Sequence, residues 1–402
     1  MSNKNWMVGG GLVLAVAALG FGQFLLDDRV EASTATVGTV TAPMFEVDPL
    51  WPKPLPNHWV LGMNIGVAVD SRDHVYIVHR QNTLNPRNEF GLDENGQPTA
   101  ECCLPAPPVL EFDPEGNLVN SFGGEGEGYV WPASNHGLGV DDRDNIWIGG
   151  NGAGDSHILK FSRDGRFLAQ YGVPGMDDPA NSLSTEHFGR VAKISFDFAA
   201  REAFVADGYR NHRVAVLDMD SGEIKRFWGA YGNEPSDENF GPFDPDAPLI
   251  QQFRTPVHCA EPSNDGFVYV CDRPNNRIQV FQKDGTFVKE VQIAPRTRGD
   301  GSIWDITFSR DPQQTYIYLA DGKNAKIYVL NRQSLEVLTE FGDGGRQPGQ
   351  FLGVHSIVTD SQGNIYTTET YEGRRLQKFV YKGIGQVARD QGVVWPVSTT
   401  PR

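Results

Sequence analysis

The chain has 402 residues, 39% of them hydrophobic and 11% aromatic, and a formal net charge of −16 from 51 acidic against 35 basic side chains. That apolar content supports a packed core and excludes a disordered chain. The acidic balance, with no Lys/Arg cluster, excludes a nucleic-acid binder, and the acidic residues sit in turn sequences such as Asp70-Ser71-Arg72-Asp73.

Residues Trp6 to Leu26 form an almost uncharged apolar run, preceded by Lys4 and followed by Asp27, Asp28 and Arg29. The run is long enough to cross a bilayer and long for a secretory leader. Val30-Glu31-Ala32 offers a small-residue cleavage pattern before Ser33, so residues 1–32 read as a signal peptide or a membrane anchor, with both open. Either expectation makes the protein exported: periplasmic, extracellular, or held facing outward by this segment. Residues 33–60 read as an N-terminal linker, 61–385 as the folded domain and 386–402 as a C-terminal tail.

The folded domain is repetitive, and the repeat decides its class. Hairpins begin at Gly66-Val67-Ala68-Val69-Asp70 and Leu138-Gly139-Val140-Asp141, and the pattern returns near Ile194, Cys259, Ile306 and Ile357. Each is followed by a second hairpin, clearest in Asp207 to Leu217, Asp272 to Phe281 and Asp321 to Leu330. Alternating apolar and polar residues ending at turns predict strand-turn-strand throughout. Six units of four short strands predict an all-β, six-bladed β-propeller. The stretch from Thr83 to Pro108, rich in Pro, Asn and Glu, reads as a surface loop inserted in blade one near the opening.

In a propeller the first strand of each blade lines the central channel. Aligning the six first strands places Ile65, His136, Ala192 or Lys193, His258, Trp304 or Asp305, and His355 at equivalent positions facing the axis. Three of the nine histidines thus occupy alternate blades, about 120° apart in a six-fold ring. Three imidazoles with an open fourth position are the ligand set of a catalytic zinc. The remaining tryptophans, and Trp304 with them, read as packing between blades. Cys259 and Cys271 flank Asn264-Asp265-Gly266 and face each other across one hairpin, whereas adjacent Cys102 and Cys103 read equally as a vicinal bridge or as free thiols.

The segments Asp272 to Phe281 and Asp207 to Leu217 resemble the NHL repeat, an Asp followed by Asn-x-Arg-Ile/Val-x-x-Phe. Within that group the chain resembles the peptidyl-α-hydroxyglycine α-amidating lyases. Gly66-Val67-Ala68-Val69-Asp70 followed by His79-Arg80, Asn135-His136-Gly137-Leu138, Val205-Ala206-Asp207-Gly208-Tyr209, Pro256-Val257-His258 with Cys271-Asp272-Arg273, and Phe351 to His355 carry the resemblance. It implies zinc on His136, His258 and His355, Tyr209 as the base or a zinc-adjacent phenolate, and Arg80 and Arg273 as carboxylate-binding and charge-stabilising groups. It also implies a calcium on the backbone carbonyls of Val67 and Leu138. Two departures stand out: Gly353 replaces a methionine two residues before the third histidine, and Ser356 replaces a calcium-ligating aspartate after it.

The function expected is an extracytoplasmic zinc-dependent lyase that splits a carbinolamide, or a related small or peptide-derived hydroxylated substrate. Two alternatives are a lactonase-like hydrolase on the same scaffold, and a non-catalytic propeller serving as a binding module in a cell-envelope complex. Three converging ligands favour the enzyme, because a scaffold has no need of them.

Overall fold

The computed structural model describes residues 38–87 and 89–396. The apolar run from Trp6 to Leu26, and with it the leader or anchor expectation, lies outside the described residues. Among the described residues no helix is long and apolar enough to cross a membrane.

Six four-stranded antiparallel sheets are arranged as propeller blades, and a separate two-stranded parallel pairing ties Trp59–Val60, ahead of blade one, to Leu104–Pro105 of its insertion. The first hairpin of a blade is set by a recurrent turn. The carboxylate of Asp70 accepts hydrogen bonds from the backbone N–H groups of Arg72 and His74, Asp141 from those of Arg143 and Asn145, and Asp360 from those of Gln362 and Asn364. An aspartate so placed mimics a backbone turn and reverses the chain after the innermost strand.

The outer turns carry the repeat motif. Asp272 accepts from Arg277 Nε at 2.7 Å and from Asn275 Nδ2 at 2.8 Å, and Arg277 then donates to Gln252 O at 2.9 Å. Asp207 and Arg213 repeat this at 2.8 Å, with Arg213 donating to Ser182 O, Ser184 O and His187 O. Both arginines are fully buried. They anchor the loop that enters each blade, so their work is structural.

Each hydrophobic cluster is drawn from two consecutive blades. Cys259, Ile278 and Val280 of blade four pack on Ile306, Ile317 and Leu319 of blade five, and the other interfaces follow the same rule. Burial of facing sheets therefore holds the ring together.

Closure differs from the sequence reading. Thr39–Asp48 pairs antiparallel with Leu376–Ala388, giving blade six the strand order Thr39–Asp48, Leu376–Ala388, Ile365–Glu369, Val354–Thr359. Part of the expected 33–60 linker is thus the outermost strand of the last blade. Val47 N also donates to Val394 O at 2.8 Å, and Val394 is buried, so the expected tail begins inside the domain. Pairing two chain ends 300 residues and more apart is invisible to local periodicity.

Cys259 and Cys271 are opposite each other in register and disulfide-bonded, and Cys102 is bonded to Cys103. The blade-one insertion folds over the mouth: its Glu89 meets Arg374 of blade six at 2.6 Å.

Candidate metal centre

The innermost strands are interrupted at the same place. Pairing skips Ile65 between Asn64 and Gly66, Ala192 between Val191 and Lys193, His258 between Val257 and Cys259, and His355 between Val354 and Ser356. In blade two the skip spans His136 and Gly137. A β-bulge leaves one residue outside the ladder and re-aims its side chain. Each histidine is such a residue, and the alternative left open in blade three resolves to Ala192.

The three rings converge. Their centroids are 5.3 Å apart for His136 and His258, 4.8 Å for His136 and His355, and 4.9 Å for His258 and His355. One ring nitrogen from each lies within 4.8 Å of the others, and all three residues are buried.

The other nitrogen of each ring meets the carbonyl at the equivalent position of the next blade. Nδ1 of His136 donates to Ala192 O at 2.7 Å, that of His355 to Ile65 O at 2.8 Å, and that of His258 to Trp304 O. A carbonyl accepts only, so this contact fixes the proton on Nδ1 and leaves the Nε2 lone pair facing the axis. Trp304 therefore holds the blade-five position. Burial first, then the neighbouring imidazoles and arginines, pushes the pKa of all three histidines well below the ordinary value, so they stay neutral.

Tyr209 reaches the same point from blade three. Its phenol oxygen is 2.9 Å from Nε2 of His136 and 3.0 Å from Nε2 of His258. A single phenol proton cannot serve two lone pairs, so this set is short of donors. A cation bound by all three nitrogens removes that shortfall, and a trio of neutral imidazoles with an open position fits zinc. Gly208 makes the placement of Tyr209 possible: a β-carbon there would stand 2.1 Å from Val257 O.

Arg273 Nη1 donates to Tyr209 Oη at 3.2 Å, and its guanidinium stacks 4.6 Å from the Trp304 ring. Its Nε is buried without a partner, and Asp300 lies 3.6 Å from Nη2. Arg80 donates to Asn135 O at 3.0 Å and to Asn151 Oδ1 at 2.7 Å, and no carboxylate among the described residues pairs with it. Its charge and that of Arg273 are among the causes lowering the histidines.

The two arginines open onto separate cavities. One of about 360 Å³ is lined by Tyr209, Arg273, Phe240, Phe243 and Asp300. The other, of about 460 Å³, is lined by Arg80, Leu84, Leu92, Trp131 and Asn135, so the blade-one insertion forms part of its wall.

Sequence reasoning placed His136, His258, His355, Tyr209, Arg80 and Arg273 at one end of the channel, and the structure brings them together. It missed Trp304, read as packing, which supplies both the His258 carbonyl partner and the face on which Arg273 stacks. It also missed Asn135 and Asn151, which hold Arg80; Asn135 precedes His136, the one available signal. At Gly353, in place of the expected methionine, the ring of Tyr371 stands within 3.4 Å of where a β-carbon would be.

A second group of ligand-type side chains, Asp70, His74 and Glu111, is a closed ion network. Arg72 pairs with Asp70 and lies 2.9 Å from Glu111, which also accepts from His74 Nδ1 at 2.7 Å.

Residues 263–281 match the NHL repeat family. The fold is a six-bladed propeller, and one of its repeats carries that match. Over 316 residues this propeller is 25% identical to the peptidylglycine alpha-amidating monooxygenase of Rattus norvegicus, covering 77% of its own chain and 30% of that protein. It is 24% identical over 364 residues to the peptidyl-alpha-hydroxyglycine alpha-amidating lyase 1 of Drosophila melanogaster, covering 84% of its own chain and 60% of that one. The chain thus spans less than two thirds of each of these relatives, 30% of the first and 60% of the second. A solved streptogramin B lyase aligns over 86% of the chain and 98% of its own, with 13% identity and a TM-score of 0.46, too loose a likeness to bear on the site.

Proposed function

We propose that this NHL propeller is an exported, zinc-dependent lyase that splits an N-acyl-α-hydroxyglycine, or a closely related carbinolamide, into an amide and glyoxylate. The observation that carries the proposal is the convergence of three neutral histidines with Tyr209 and two arginines at one mouth of the channel. The similarity to amidating enzymes supports the same chemistry, and the pair of disulfides fits an oxidising compartment outside the cytoplasm.

His136, His258 and His355 would hold the metal through Nε2. Bound there, zinc supplies Lewis acidity toward a substrate oxygen. Tyr209, within hydrogen-bond reach of the ligand nitrogens, takes the proton of the substrate hydroxyl, the C–N bond breaks as the C=O forms, and the departing nitrogen receives a proton. Atoms balance without a further reactant. Arg273, stacked and only partly compensated, donates to Tyr209 Oη at 3.2 Å and positions it beside the metal site. Arg80, lacking a carboxylate partner, is free to hold the substrate carboxylate.

The test is metal analysis and turnover of an N-acyl-α-hydroxyglycine by the wild type beside a His258→Ala variant. One zinc per chain with glyoxylate release, both lost in a folded variant, is the expected result. A folded wild type with neither zinc nor turnover would leave a binding propeller as the better account.

A further inference from the structure

Deeper in the channel lies a cavity of about 140 Å³ lined by Val67, Leu138, Lys193, Glu261, Thr307 and Ile357. Calcium was expected here, on the carbonyls of Val67 and Leu138. The donor set does not fit it. Calcium takes six to eight oxygens from carboxylates, carbonyls and waters, and needs a carboxylate free to balance its charge. Among the described residues Glu261 is the one carboxylate lining this space, and both it and neighbouring Asp305 are already engaged. Ser356, where the resemblance has its ligating aspartate, has no charge and lies with its hydroxyl 3.1 Å from His355 Nδ1.

What engages them is Lys193. Its ammonium lies 2.5 Å from Glu261 Oε1 and 2.6 Å from Asp305 Oδ1, and it donates to Ile306 O at 3.3 Å. The side chain is 14% exposed. The network continues around the axis: Ser195 Oγ donates to Glu261 Oε1 at 2.7 Å, and Ile357 N to Asp305 Oδ2 at 3.0 Å. One lysine on blade three is thereby tied to blades four and five, and through Asp305 to blade six. Lys193 follows the bulge residue Ala192, so the same irregularity that aims the histidines in other blades frees Lys193 to reach down the channel.

We infer that the Lys193 ammonium is a built-in cation that does the work of a structural metal, tying four blades together at the channel axis and excluding calcium from it. A divalent ion in this space would meet a fixed positive charge at contact range and find its carboxylates occupied. Burial opposes the charge, but the two carboxylates outweigh it and hold the ammonium above its ordinary pKa, so it stays charged at neutral pH. This inference is independent of the proposed lyase reaction.

The experiment follows melting temperature and bound calcium for the full chain, with zinc held constant. Expected are the same melting temperature in calcium-free buffer and in millimolar calcium, no stoichiometric calcium by elemental analysis, and a Lys193→Met variant melting at least about 5 °C lower. One calcium per wild-type chain, a wild type stabilised by calcium, or a Lys193→Met variant as stable as wild type would each overturn it. A triple variant, Lys193→Met with Glu261→Gln and Asp305→Asn, carries no charge at the plug and should melt above Lys193→Met. If it melts no higher, or if it too fails to fold, charge pairing is not what Lys193 supplies.

Discussion

The phenol oxygen of Tyr209 lies 2.9 Å from Nε2 of His136, although the two residues are 73 positions apart on different blades. The tyrosine is held there by the strand that ends at Asp207 and by the bare backbone of Gly208, and in the proposed reaction it is the base. Replacing Tyr209 by Phe removes the proton acceptor and little volume. Turnover should fall by about 10²-fold or more, with KM within a few-fold and zinc content unchanged. Loss of zinc along with activity would show that the tyrosine is part of the metal's support.

Arg273 is buried and Arg80 half-buried, and they differ in what neutralises them. Arg273 has Asp300 nearby and stacks on Trp304, whereas Arg80 has only amide and carbonyl acceptors. Arg80→Ala should therefore act mainly through KM for a substrate bearing a carboxylate, and its effect should vanish on the matching carboxamide. Arg273→Ala, and Arg273→Lys nearly as much, should lower kcat, because an ammonium does not reproduce the stacked planar fork. Steady-state kinetics on the acid and amide substrates check both; equal KM effects from the two arginines on the acid would contradict this division.

His79 is fully buried beneath Arg80. Its Nδ1 accepts from Gly62 N at 3.2 Å and its Nε2 donates to Pro107 O at 3.0 Å. Burial pulls its pKa from the usual 6.5 to about 4. The unfolded chain then takes up the proton first on acidification, so the stability this group contributes is complete above pH 6.5 and is lost as pH falls toward 4. The loss is on the order of 3 kcal/mol. His79→Gln keeps both hydrogen bonds and cannot titrate, so its melting temperature should fall less steeply than wild type between pH 6.5 and 4.

The Arg277–Asp272 pair is fully buried and anchors the loop entering blade four. Arg277→Ala leaves Asp272 charged and buried, at a cost of about 3–5 kcal/mol. Chemical denaturation should show it, while zinc content per folded chain stays that of wild type. A variant within 1 kcal/mol of wild type, as an estimate of measurement error, would mean that water replaces the arginine at no cost.

Much of this protein could be read without coordinates. Four-stranded units betray themselves in alternation and turn residues confined to a few dozen positions, and aligning the units put His136, His258 and His355 on equivalent places before any geometry was known. Tyr209, Arg80 and Arg273 were named only by the resemblance of short local segments to the amidating lyases. What the sequence left undecided involves partners from other blades. Nothing near His258 announces that Trp304 O will fix its tautomer, nor near Thr39–Asp48 that this strand completes the last blade. Lys193 was read as one of two channel-facing options, and only the bulge at Ala192 sends it to Glu261 and Asp305, the latter 112 residues away. Periodicity within a hairpin is a local property written in local sequence, whereas the channel floor, the ligand tautomers and the closing strand depend on which residues the closed ring brings face to face.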